Sequence, residues 1–275
     1  MNRPPFPALI LAAILLTACT PVLPAASTPA PIPTASHSFP PATPTPTSLS
    51  ITPTPTSLSI TPTTVFLENG LVWTECIVPD REYSSTSRDL SILKKCAKPP
   101  GWSDADAGMM GERVKRETGF YDLQISIGTD DYEANFVDRS EVGYIYQLTK
   151  NGDVLLQATA QFTTYDPNLN LWNMDGTLVW ELGGMQPVIF VDGENLNETY
   201  RLEGSYFPYQ INGNLIFVAR KNGRYSIVYD GKFTGPEFDA IEMAYCCAMV
   251  PLVRGSGQYW FVGSREGKTY LVSIR

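Results

Sequence analysis

The chain divides by its pattern of apolar and polar positions into three parts. An apolar run from Ala8 to Leu15 comes first. Residues 20 to 64 follow with no Asp, Glu, Lys or Arg and no apolar periodicity. From Val65 to Arg275 short apolar runs recur, separated by turn pairs. Alternation is clear at Phe120 to Ile127, where Tyr121, Leu123, Ile125 and Ile127 oppose Phe120, Asp122, Gln124 and Ser126. Such a period of two predicts a half-buried strand. Phe66-Leu67 and Leu71-Val72-Trp73 flank Glu68-Asn69-Gly70 and read as a hairpin. Arg88 to Ala97 and Asp106 to Thr118 read as short helices.

The runs are organised as a repeated strand–turn–strand unit. Gly143 to Leu148 leads through Asn151-Gly152 to Val154-Leu-Leu156. Asp175-Gly176 opens Thr177 to Trp180, then Gly183-Gly184, Val188 to Val191 and Asp192-Gly193. Asn212-Gly213 opens Asn214 to Val218, then Asn222-Gly223, Tyr225 to Tyr229 and Asp230-Gly231. Ser256-Gly257 opens Gln258 to Val262, then Glu266-Gly267 and Tyr270 to Ile274. Asn and Gly accept the positive φ of a two-residue hairpin turn. The stretch from Gly213 to Asp239, with Lys221-Asn-Gly-Arg-Tyr225 and Tyr229-Asp-Gly-Lys-Phe233, resembles the WD40-like repeats of bacterial periplasmic β-propellers. The usual Ser-Pro-Asp-Gly opening is reduced here to Ile211-Asn-Gly-Asn214. The resemblance implies a mainly all-β, propeller-like array of hairpin repeats, with one or two short helices near 88–118. At about 40 residues per unit, roughly five blades are expected. A β-sandwich is the alternative architecture. Placing an N-terminal strand beside Tyr270 to Ile274 would remove the exposed sheet edges.

The first apolar run is too short to span a bilayer, which takes about 20 residues. It suits the core of a signal peptide, despite Pro4, Pro5 and Pro7. Leu16-Thr17-Ala18-Cys19 directly follows it and resembles the lipobox of bacterial lipoproteins. The resemblance implies cleavage before Cys19 and lipid on that residue, hence an extracytoplasmic protein anchored to a bacterial membrane. Residues 1–18 are then the signal peptide. Residues 19–64 are a Pro-, Thr- and Ser-rich stalk in which Thr43 to Ile51 recurs unchanged as Thr52 to Ile60. Such composition favours extended polyproline II over a packed core. Residues 65–275 form the folded domain.

Charge and chemistry narrow the function classes. The domain carries all 28 acidic residues and, with Arg3 set aside, 19 of the 20 basic ones, a net charge of −9. An acidic surface repels phosphate backbones, so nucleic acid is not an expected partner. The single histidine, His37, lies in the stalk. The domain therefore has no Ser-His-Asp or Cys-His machinery and no histidine-ligated metal. Hydrolysis by two carboxylates needs no histidine and stays open.

Beyond Cys19 there are four cysteines. Cys76 and Cys96 are the most economical disulfide for an exported domain. Cys246-Cys247, flanked by Met243 and Met249, reads as structural burial; a vicinal pair, a bridge from one of the two to Cys76 or Cys96, and soft-metal or redox work are the alternatives. Asp130, Asp131 and Glu133 cluster after Gly128 as weak calcium candidates, and Asp104-Ala-Asp106-Ala-Gly108 faintly resembles the start of a calcium loop; a solvated acidic turn is the simpler reading of each. No cofactor is expected. Trp180 and Trp260 fall inside strand runs and read as core, whereas Trp102 after Pro99-Pro-Gly reads as exposed. The function expected is a membrane-anchored surface lipoprotein presenting a non-catalytic binding or scaffolding domain to a protein, peptide or glycan. A carboxylate-dependent enzyme acting on glycans is the alternative.

Overall fold

The computed structural model describes residues 61–78, 96, 101, 103–115, 121–161, 169–242 and 253–275. The lipobox with Cys19, the stalk with His37, Trp102 and the Cys246–Cys247 pair lie outside the described residues, as does nearly all of Arg88 to Ala97. Within the described residues the domain is all-β, with strands in four antiparallel sheets. Sheet I holds β3 (Glu112–Lys115), β4 (Tyr121–Ile127), β5 (Asp130–Arg139), β6 (Gly143–Lys150) and β7 (Asp153–Gln161). Sheet II holds β8 (Leu169–Met174), β9 (Thr177–Leu182), β10 (Val188–Val191) and β11 (Glu194–Asn195). Sheet III holds β12 (Gly204–Ile211), β13 (Asn214–Lys221), β14 (Arg224–Tyr229) and β15 (Lys232–Phe238). Sheet IV combines β16 (Ala240–Ile241), β17 (Val253–Gly255), β18 (Gln258–Arg265) and β19 (Lys268–Ile274) with β1 (Thr63–Phe66) and β2 (Val72–Val78) from the start of the domain.

Sheets I, II and III are up-and-down meanders, and two-residue turns make their tight connections as well as those of sheet IV. Asn151-Gly152, Asp175-Gly176, Asn212-Gly213, Asn222-Gly223, Asp230-Gly231, Ser256-Gly257 and Glu266-Gly267 all have positive φ at both residues. That is the type I′ requirement, whose twist matches the flanking strands. At Asn222-Gly223 the register runs from Lys221 opposite Arg224 to Ile216 opposite Tyr229. The expected hairpin at Glu68 to Gly70 also forms, as β1 and β2.

The sheets stack face to face in chain order. Between sheets I and II, Leu123, Ala134, Tyr146 and Leu148 pack against Leu171, Leu178, Trp180 and Leu182. Between II and III, Trp172, Val179 and Ile189 meet Phe217, Ala219 and Val228. Between III and IV, Ile216, Val218, Ile227 and Tyr229 meet Trp73, Tyr259, Phe261 and Val272. The inner strands β9, β10, β13 and β14 of sheets II and III are thus buried on both faces. This explains why they read as continuous apolar runs rather than as alternation. Trp180 and Trp260 are buried, as expected.

Sheet IV is completed by the start of the domain. β2 pairs antiparallel with β19, Trp73 lying opposite Ile274 and Val78 opposite Thr269. A Glu75–Arg265 ion pair at 2.6 Å reinforces the junction. Trp73 stacks on Phe238 of sheet III, and Gly235 fits against its ring so closely that a Cβ there would stand 2.6 Å away. A Cys76–Cys96 disulfide, with Cα atoms 6.1 Å apart, adds a covalent tie.

Two expectations need correction. About five units were expected, but four sheets are present among the described residues. The estimate allotted equal lengths, whereas sheet I takes five strands and sheet IV takes strands from both ends of the domain. The helix expected over Asp106 to Thr118 is a single short helix, α1 (Asp104–Met109), followed by β3. Ser103 opens α1 with a reciprocal capping box to Asp106. The sequence then alternates as Glu112-Arg-Val-Lys115 and pairs with β4 instead of continuing the helix. A second helix, α2 (Leu196–Tyr200), capped by Asn195, follows β11 and had no counterpart in the sequence reading.

Candidate functional site

Two places draw attention: a buried polar hub where all four sheets converge, and an open groove between sheets I and II. The hub begins with Glu181, a carboxylate set in the apolar run of β9 and only 3% exposed. Its Oε2 accepts from Asn170 Nδ2 at 2.9 Å and faces Arg254 Nη2 at 3.4 Å. Its Oε1 accepts from the Phe207 amide at 2.7 Å. Arg254, on β17, donates to the Pro208 carbonyl at 2.9 Å and lies over the Trp172 ring at 4.7 Å. Arg113 of β3 donates to Asn170 Oδ1 at 3.3 Å, bringing sheet I into the network.

Phe207 has φ 54, a left-handed conformation that costs a bulky residue about 1–2 kcal/mol. It sits where the register of β12 slips between Tyr206 and Tyr209. This bulge turns the Phe207 amide toward Glu181 and its carbonyl toward Tyr259, whose hydroxyl donates to it at 2.7 Å. Burial pushes the Tyr259 phenol well above its ordinary range.

Asp106 of α1 forms the second half of the hub and is 2% exposed. Its Oδ2 accepts from the Ser103 amide at 2.8 Å, the Ser103 hydroxyl at 2.7 Å and the Ser256 amide at 3.0 Å. Its Oδ1 accepts from the Tyr209 hydroxyl. Burial raises the Asp106 carboxyl, but the bonds from Tyr209, Ser103 and Ser256 outweigh it and hold the group below the usual carboxylate range. Burial and the Asp106 contact push Tyr209 up to about 12. The hub therefore carries an ionised aspartate and a neutral phenol at neutral pH, each held by partners within the fold.

The groove has a volume of about 580 Å³ and is open to solvent. One wall is Leu156 to Thr159 of β7. The other includes Val188 and Phe190 of β10, with Glu194 and Glu198 on the rim. Glu194 accepts from Thr199 Oγ1 at 2.6 Å and Glu198 from Asn195 Nδ2 at 3.1 Å.

The candidates singled out in the sequence fall elsewhere. Asp130 pairs with Lys150 at 2.7 Å. Hydrogen bonds from Lys150 and Asn151 hold its carboxyl below the ordinary range. Asp131 accepts from Ser126 Oγ at 2.6 Å, and strand alternation puts it with Glu133 on the face of β5 opposite Asp130. The acidic turn is thus engaged with its own neighbours. Among the described residues no three His, Cys, Asp or Glu side chains are grouped to hold a metal ion. Asp106 serves as a helix cap and inter-sheet tie, not as the start of a calcium loop.

Sequence reasoning missed Glu181, Arg254 and Tyr209, and the groove residues Leu156, Phe190, Glu194 and Glu198. Glu181 had a legible signal, a lone charge inside Leu178-Val-Trp-Glu-Leu182. The groove had none, because it joins strands thirty residues apart. No protein-family model, curated protein or solved structure matches the chain.

Proposed function

We propose that the protein is a surface lipoprotein, held to a bacterial membrane by lipid on Cys19, whose stalk presents a propeller-like binding domain without catalytic activity. The observation that carries this reading is the use of the buried polar groups. Glu181, Arg254, Asp106 and Tyr209 are spent on one another and on backbone groups of neighbouring sheets. A catalytic carboxylate needs a proton to give or take near working pH. Asp106 is instead held ionised by structural donors. The propeller-like reading draws support from the serial stacking of four antiparallel sheets and from the pairing of β2 with β19. No described helix is long and apolar enough to cross a membrane. The attachment is proposed from the Leu16-Thr17-Ala18-Cys19 motif alone. Extraction of the full chain in detergent and incubation on peptide and glycan arrays tests the reading, with products analysed by mass spectrometry. Retention of a ligand with its covalent structure intact supports a binding module. Shortened glycans that disappear when a carboxylate is changed to its amide would replace it with the enzyme reading.

A further inference from the structure

Sheet edges are ready templates for pairing with another chain, and proteins protect them with short strands, lysine or proline. Most edges here follow that rule. β15 carries Lys232 and Pro236, β11 is two residues long, β1 is four residues long behind Pro62, and β3 carries Arg113 and Lys115. β12 carries Pro208, and β8 is covered by Met110, which bridges to Trp172, and by the Gly111 amide, which donates to the Leu171 carbonyl at 2.7 Å. β7 is the exception. It is nine residues long, Asp153 is its only charge, and it has no lysine, arginine or proline. It pairs with β6 alone and ends sheet I. Its bulge, where the register slips past Leu155, leaves Leu156 to Gln161 as a regular run.

The groove lies along that edge. Four consecutive residues, Leu156 to Thr159, line it. Consecutive side chains of a strand point to opposite faces, so what the four have in common is the edge of the strand. The Asp192-Gly193 turn abuts Leu156, a Cβ on Gly193 lying 3.8 Å from its Cδ2. At the far end Gly184 meets the Gln161 backbone, where a Cβ would stand 3.0 Å from the carbonyl oxygen. These stops are five residues apart along β7, about 17 Å of extended chain. Val188 and Phe190 offer an apolar wall, and the rim charges are both acidic. Neither Glu194 nor Glu198 has a cationic partner among the described residues.

We infer that the groove takes a short extended peptide segment carrying lysine or arginine, added as a further strand on β7. This rests on the binding-module reading and names its ligand class. Main-chain hydrogen bonds to β7 would supply the affinity of such a strand addition, and alternate side chains its selectivity. One set of side chains meets Val188 and Phe190, and the basic residues meet Glu194 and Glu198. A second copy of the chain fits poorly. Its own β7 would bring Asp153 and two further rim glutamates to the same acidic edge, within a domain of net charge −9.

The test uses the full chain in detergent and fluorescein-labelled hexapeptides of alternating valine and lysine, read by fluorescence polarisation. The lysine peptide should bind more tightly than its glutamate counterpart. The Glu194→Gln/Glu198→Gln variant should bind it roughly fivefold more weakly at low salt, with an unchanged unfolding midpoint. Backbone N-methylation of one alternate set of residues should abolish binding, and methylation of the other set should be tolerated, because only one edge of the peptide faces β7. Equal binding of the lysine and glutamate peptides, no effect of the double variant, or the same response to both methylation sets would overturn the inference. So would self-association of the chain that the lysine peptide does not compete away. Each of those results leaves ligand retention on the arrays, and with it the binding-module reading, intact.

Discussion

Replacing Asp106 tests whether the polar hub is structural. The carboxylate accepts four hydrogen bonds, from the Ser103 amide and hydroxyl, the Ser256 amide and the Tyr209 hydroxyl. Each bond to a charged acceptor contributes about 1.5–3 kcal/mol, and an orphaned buried donor costs about 1–3 kcal/mol. Such terms do not add fully within one network, so Asp106→Ala should destabilise the domain by about 4 kcal/mol, near the upper end for single substitutions. Asp106→Asn keeps one acceptor oxygen for the Ser103 and Ser256 donors but loses the charge and faces Tyr209 with an amide, at a cost of about 2 kcal/mol. The lowered carboxyl also fixes the sign of a pH effect. A carboxylate whose folded pKa lies below its unfolded value contributes stability that is fully present above about pH 4 and is lost as pH falls through the folded value. Wild type should therefore lose more stability than Asp106→Asn on acidification below pH 4. Denaturant unfolding at pH 7 and in steps below pH 4 measures both quantities. Asp106→Asn within about 0.5 kcal/mol of wild type at pH 7, the size of an ordinary surface change, would refute the structural role. Parallel acid-stability curves would refute the linkage.

Three further outcomes are expected. Cys19→Ala should move the protein from the membrane to the soluble fraction, since lipid rather than a spanning helix is proposed to hold it; fractionation reads this directly. Gly223, at φ 72, should resist a β-branched residue, so Gly223→Val should cost about 1–2 kcal/mol against about 0.5 kcal/mol for Lys221→Ala, and equal melting temperatures would argue against the turn. Cys76→Ser should lower stability by about 3 kcal/mol, from the freedom restored to a twenty-residue loop, measured against the oxidised wild type.

The all-β class and most hairpin positions were legible in the sequence because two-residue turns with positive φ need Asn, Asp or Gly at fixed places. The Asn222-Gly223 turn is an example. The Cys76–Cys96 bridge was legible for a different reason, the short separation of the two cysteines. The sheet count was not legible. Nothing local in Val72 to Val78 states that its partner is β19, almost two hundred residues away. Helix α1 was misjudged because Ser103 and Asp106 start a helix whose continuation is decided by pairing of Glu112 to Lys115 with β4. The hub escaped because Arg254, Glu181 and Tyr209 come from three sheets, and only the bulge at Phe207 brings their partners together. The groove escaped for a related reason. An unprotected edge becomes visible only when the strands around it are known.

The first strands of the domain complete its last sheet. Hydrogen exchange followed by mass spectrometry on the full chain tests this most directly. Amides of Val72 to Val78 should be protected together with those of Lys268 to Ile274 and exchange with the same kinetics, because each strand supplies the other's partners. Free-peptide exchange rates across Val72 to Val78, beside a protected β19, would contradict the account.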